Sequence, residues 1–126
     1  MFPKQKSLDV LIVGDSETIG SQIRELLSGL ECVRGIRIVS TEVEALNTLK
    51  EFEAQVVLLD LHLKRGSGLA ALRAISHSKH RPVIVAFTDH PAPQYREHAL
   101  ANGASYFLDI ACIDSLPAVL ESLCTD

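Results

Sequence analysis

Asp15, Asp60 and Thr88 each follow an apolar run, and together they have the chemistry to take a phosphoryl group onto a carboxylate. Leu8-Asp9-Val10-Leu11-Ile12-Val13 leads into Gly14-Asp15, Val56-Val57-Leu58-Leu59 into Asp60, and Val83-Ile84-Val85-Ala86-Phe87 into Thr88. A carboxylate is a competent nucleophile toward phosphorus and forms an acyl phosphate. A second carboxylate can hold a metal, and a hydroxyl can hydrogen-bond the transferred group. If the three runs are parallel strands of one sheet, their carboxyl ends lie side by side, where open α/β sheets bind ligands.

The elements that must position these residues alternate along the chain. Val10–Val13 is a continuous apolar run, as expected of a strand buried on both faces. Asp15, Ser16 or Thr18 can cap the helix that follows, where Ile19, Ile23, Leu26, Leu27 and Leu30 recur at helical spacing. A strand is expected over Arg34–Val39. Ser40 or Thr41 then caps a helix with Val43, Leu46, Leu49 and Phe52. Val56–Leu59 is the third strand, and Lys64-Arg65-Gly66-Ser67-Gly68 turns into a helix through Leu69, Leu72 and Ile75. Pro82 opens the fourth strand. Pro93 starts a helix with Tyr95 and Leu100 on its inner side, and Gly103 stops it. Ser105–Leu108 is the fifth strand, and Ile113–Leu123 the last helix, with Pro117 near its first turn. Alternation of this kind means a parallel sheet covered on both faces.

The chain has 126 residues, enough for one domain, expected over 1–126 with its core at about 8–123. Net charge is -4, and no basic stripe with interleaved aromatics appears, so direct nucleic-acid binding by this domain is not expected. No apolar stretch approaches the roughly 20 residues of a membrane span. Asp9 interrupts the first apolar run and no small-residue cleavage site follows, so a signal peptide is not expected and the protein reads as cytoplasmic. Cys32, Cys112 and Cys124 are odd in number and far apart, which argues against a disulfide framework and for buried or surface thiols.

From Leu8 to Leu123 the sequence resembles the receiver domain of bacterial two-component response regulators. The resemblance rests on Asp15, the Asp60-x-x-x-x-x-Gly66-x-Gly68 turn, Pro82 with Thr88, and Gly103-Ala104 before the fifth strand. It implies a single flavodoxin-like (βα)5 α/β domain with a five-stranded parallel sheet in the order 2-1-3-4-5. It implies Asp60 as phosphoacceptor, Thr88 as the phosphoryl-contacting hydroxyl, and Mg²⁺ held by Asp15, Asp60 and the backbone carbonyl of His62. Phe107 falls at the aromatic switch position, and reads equally as plain core. Beyond taking a phosphoryl group onto Asp60 from a donor, no enzymatic activity is implied.

Two positions depart from the family pattern. Gly14 stands where the first member of an acidic pair is expected. Ile110, seven residues after Gly103, stands where a lysine is expected. Loss of an outer metal partner weakens metal binding about 10–100-fold. His62 and His90, two residues after Asp60 and Thr88, flank the acceptor and would tune the lifetime of the acyl phosphate. The same histidines with Asp15 and Asp60 could instead hold a transition metal. Asp89 adds a carboxylate that would either repel a donor or join the metal site.

The expected partners are a sensor histidine kinase or phosphotransfer protein and a downstream protein target, with a homodimer as a further form. With no output domain in the sequence, the signal is expected to leave through the fourth helix, fifth strand and fifth helix. Gly14 and Ile110 also fit a pseudo-receiver, a module for interaction or dimerisation that is not phosphorylated. A remote reading is a nucleotide-binding Rossmann-like domain, from Gly14 and Gly20 around the first turn. It lacks the middle glycine, where Thr18 stands, and any Tyr-x-x-x-Lys pair.

Overall fold

The computed structural model describes residues 7–63, 67–89 and 92–124. Strand β1 (Leu8–Val13) is followed by helix α1 (Glu17–Ser28), β2 (Val33–Val39), α2 (Glu42–Glu51), β3 (Val56–Asp60) and α3 (Gly68–Ser76). Then come β4 (Val83–Thr88), α4 (Pro93–Ala101), β5 (Tyr106–Asp109), a 3-10 segment (Ile110–Ser115) and α5 (Leu116–Cys124). The five strands form one sheet in the order β2-β1-β3-β4-β5, and every pairing is parallel. This is the flavodoxin-like α/β arrangement.

Alternation along the strands sorts the core into two layers. Leu11, Val13, Val57, Leu59, Ile84 and Ala86 pack under α2, α3 and α4, against Ala45, Leu49, Leu72, Ile75 and Ala99. Val10, Ile12, Leu58, Val85 and Phe87 face the other way, against Ile23 and Leu27 of α1 and Leu116 and Leu120 of α5. The continuous apolar strands are therefore used on both sides. Ser16, Thr41 and Ser67 cap α1, α2 and α3, each side chain accepting from the backbone N–H three residues on. Each cap fixes where a loop at the carboxyl end of the sheet becomes helix.

Gly103 ends α4 with φ +113°, a left-handed turn that suits glycine. A Cβ there would also sit 2.5 Å from Cβ of Ser76, so the ends of α3 and α4 abut.

Some details differ from the sequence-based expectation. Leu100 is 41% exposed and faces outward, while Ala99 is buried. Five residues turn a helix by about 140°, so Tyr95 and Leu100 cannot share one inner side. Residues 110–115 form a 3-10 segment, and α5 proper starts at Leu116 with Pro117 in its first turn. Cys32 and Cys124 are joined as a disulfide, and Cys112 is the exposed free thiol. The expectation of three thiols is therefore corrected. The fold brings together two cysteines 92 residues apart, and the odd count reflects the third left over.

At the amino end of the sheet, Asp9 is buried and paired with Arg34. Arg34 Nε donates to Asp9 Oδ1 at 3.2 Å and Nη2 donates to Oδ2, while the Asp9 N–H donates to Gln55 Oε1 at 2.7 Å. Arg34 is largely exposed and can return to water if its partner is removed; Asp9 cannot. Arg34→Ala is therefore expected to lower the melting temperature more than Asp9→Asn, with the double variant between them. Thermal melts of the three variants check the ordering.

Candidate functional site

The carboxyl ends of β1, β3 and β4 gather the chemistry-bearing residues. Asp60 is the last residue of β3 and is 8% exposed. It stands opposite Phe87 in the β3–β4 register, and the next residue, Leu61, donates its N–H to the Phe87 carbonyl at 3.0 Å. The His62 N–H donates to Asp60 Oδ1 at 2.8 Å, fixing the carboxylate at the mouth of the crevice. Thr88 ends β4 one residue beyond that register pair and is fully buried.

Gly14 follows β1 and is tied to β2 by its N–H, which donates to the Val39 carbonyl at 2.9 Å. A Cβ placed on Gly14 would lie 3.4 Å from Asp60 Cβ and 3.9 Å from Asp60 Oδ2. This glycine therefore borders Asp60 directly. Asp15 and Asp89 act on Asp60 through their charges. Burial pushes the Asp60 carboxyl above the ordinary aspartate range; the His62 N–H bond opposes this, and the negative charges of Asp15 and Asp89 add to it. A buried carboxylate with two acidic neighbours makes a hard, oxygen-rich, negative locus.

Asp60 with Asp15 offers the one or two carboxylates that Mg²⁺ takes while keeping several waters. Among the described residues no group of three or more His, Cys, Asp or Glu could hold a metal, so the transition-metal reading draws no support from them. His90, Lys64 and Arg65 lie outside the described residues. The His62 ring is exposed at the mouth and lies 6.0 Å from the Tyr95 ring on α4, centroid to centroid, tilted at 58°.

Phe107 is half-buried and packs against the α2–α4 layer. It stands opposite Ala86, and Thr88 lies two residues beyond Ala86, so strand alternation puts Thr88 and Phe107 on one face of the sheet. The residue opposite Thr88 is Asp109, whose Oδ1 accepts from the Ala111 N–H at 2.9 Å and starts the 3-10 segment. Ile110, one residue further, is half-buried against the α1–α5 layer. Neither residue is a cation, so the end of β5 gives no positive charge beside Thr88. Sequence reasoning passed over Asp109 because its place depends on strand register. Tyr95 was seen only as a helix residue, and its contact with His62 had no local signal.

The start of α1 opposes the nucleotide reading. Asp15 precedes the cap and Glu17 lies in the first turn, so carboxylates meet the place a pyrophosphate would occupy.

The response regulator receiver domain model matches residues 10–111. The transcriptional regulatory protein BtsR of Salmonella typhi is 30% identical over 95 residues, covering 73% of this chain and 39% of that protein. The chain thus spans about two-fifths of the length of that curated relative. The structure of the RcsB response regulator of Salmonella typhimurium superposes with a TM-score of 0.84 at 21% identity, covering 94% of this chain and 60% of that one. The Mn²⁺-bound form of response regulator Rcp1 gives 0.80 at 17% identity, covering 94% and 97%. Strand order, a buried aspartate at the end of β3 and a family match across most of the sequence lead to one conclusion: this chain belongs to the response regulator receiver domain family.

Proposed function

We propose that this domain receives a phosphoryl group on Asp60 and passes the signal on through a protein contact. The observation that carries this reading is the placement of Asp60. It is a buried carboxylate at the sheet's carboxyl end, oriented by the His62 N–H, with Gly14 at its side and Thr88 at the end of the adjacent strand. Asp15, Asp60 and the His62 carbonyl would hold Mg²⁺, which when bound offsets the negative charge of acceptor and phosphate. The donor would be a sensor histidine kinase or a phosphotransfer protein, and the site would work mainly by positioning and electrostatics. The Thr88 hydroxyl would contact the transferred group and Phe107 would fill space that Thr88 vacates. His62 and His90 would tune how long the acyl phosphate lasts.

The output would leave through α4, β5 and α5 to a downstream protein or a second copy. Among the described residues no helix is long and apolar enough to cross a membrane. We place the domain in the cytoplasm, where such kinases deliver phosphate.

Incubation with acetyl phosphate and Mg²⁺ followed by intact mass tests the reading. One added phosphoryl mass is expected. A second reading, the unphosphorylated interaction module, is favoured by the lack of a cation opposite Thr88 and the lack of an acid at Gly14. It is the outcome if no adduct forms.

Gly14 supplies a further test. A Cβ on Gly14 would meet Asp60 in ordinary van der Waals contact, so a side chain there would stand beside the carboxylate. Gly14→Asp is expected to tighten Mg²⁺ binding by about 10–100-fold, the reverse of losing an outer partner. Calorimetric titration with Mg²⁺ measures this, and an unchanged affinity would separate Gly14 from the metal locus.

A further inference from the structure

Cys32 and Cys124 are bonded with their Cα atoms 6.1 Å apart. Cys32 closes the turn between α1 and β2, and its carbonyl accepts from the Leu8 N–H at 2.7 Å, so its backbone is held to the start of β1. Cys124 is the last residue of α5. The bond therefore staples the end of α5 to the amino edge of the sheet, at the end remote from Asp60.

We propose that Cys32 and Cys124 form a reversible redox site, closed by a small disulfide of the glutathione type and opened by the matching thiol. Three features carry this. Cys124 ends α5 and Cys32 lies in the turn before β2, its carbonyl held by the Leu8 N–H, at a Cα spacing native disulfides accept. Both residues are buried, Cys32 at 8% exposure and Cys124 at 2%, so Cys32 is the less enclosed of the pair and is taken as the entry point. Both cysteines belong to the apolar layer of Ile23, Leu27, Leu116 and Leu120, where a reduced thiol also packs as a small apolar group. In a reducing compartment, where the domain is placed above, disulfides are usually transient and redox-sensing.

Closure balances as thiol–disulfide exchange. Cys32 loses its proton and its thiolate attacks one sulfur of the small disulfide. That S–S bond breaks and one small thiol leaves. The Cys124 thiolate then attacks the Cys32 sulfur, the second small thiol leaves, and the protein S–S bond forms. The protein gives up two protons and two electrons, carried off as the two small thiols. Closure pins the last turn of α5, which a helix end would otherwise fray.

The native chain, incubated with oxidised or reduced glutathione, is acid-quenched, unfolded, alkylated with iodoacetamide and weighed. After oxidation no alkyl group is expected on Cys32 or Cys124, while the exposed Cys112 either alkylates or carries glutathione; after reduction three alkyl groups are expected. Three after oxidation, or glutathione left on Cys32 in place of the cross-link, overturns the proposal. One after native reduction also overturns it, because the bond is then permanent. Repeating the experiment on Cys112→Ser, an exposed position, keeps exchange with the third thiol out of the result. Hydrogen exchange over residues 120–124 is expected to be about tenfold slower in the oxidised form. Equal rates overturn the claim that the bond holds α5.

Discussion

Asp60→Asn is expected to abolish phosphoryl uptake and, at neutral pH, to make the domain more stable. The amide cannot replace the carboxylate as a nucleophile toward phosphorus, so intact mass after acetyl phosphate and Mg²⁺ should show no adduct. An adduct that persists would assign the acceptor elsewhere. The gain in stability follows from the environment of Asp60. Burial raises its pKa, the His62 N–H bond opposes the rise, and Asp15 and Asp89 add to it. For an acid raised in the folded state, the stabilisation is fully present below the unfolded pKa. It is lost as pH climbs through the folded value. At neutral pH the ionised carboxylate therefore weakens the fold. Asparagine carries no charge and keeps an oxygen for the His62 N–H. The gain should be on the order of 1 kcal/mol, or about 4 °C in melting temperature for a domain of this size. It should fade below about pH 4, where aspartate is protonated in both states. Melts of both proteins across pH measure it, and a gain that does not depend on pH would trace it to packing.

Gly68→Ala is expected to have the largest structural effect of any single methyl added near the site. A Cβ at Gly68 would lie 2.3 Å from the carbonyl oxygen of Leu61 and 2.5 Å from its Cα. Both neighbours are backbone atoms, so no side chain can swing aside. Either the start of α3 moves or Leu61 does, and Leu61 is bonded to β4 and adjoins Asp60. Forcing an atom into so close a contact costs about 3 kcal/mol, read as a lower urea midpoint. Phosphoryl uptake should slow by tenfold or more, because a shift of about 1 Å at a reacting group can cost 100-fold. Ser67→Ala is the control. It removes the hydroxyl that accepts from the Ala70 N–H, costing about 1 kcal/mol, without displacing Leu61. If both variants lose uptake equally, stability rather than geometry governs the site.

The topology was legible because three apolar runs of strand length alternate with segments of helical spacing, and each reports on its own face. The placement of Asp60 and Thr88 at strand ends, and of Asp15 just past one, was legible for the same reason, as each stands at or just after the end of such a run. Gly14 was visible as a departure, although its closeness to Asp60 needed the β1–β3 pairing. What stayed hidden depends on tertiary register. Asp109 faces Thr88 through strand pairing, one residue before the position that counting from Gly103 selects. The Cys32–Cys124 bond depends on where α5 ends relative to β2. Gly68 read as a turn residue, whereas its constraint comes from the Leu61 backbone. In α4 so few apolar residues mark a face that Leu100 was assigned inward and lies outward.

Cys112 gives the molecule a built-in handle. It is exposed, and it sits in the short 3-10 segment directly after the strand that borders Thr88. With the other two sulfurs bonded to each other, a maleimide dye attaches at this single position without mutagenesis. A fluorophore there would sit just past the end of β5, the strand paired with the one that carries Thr88, so its emission would report ligand arrival at the carboxyl end of the sheet in real time.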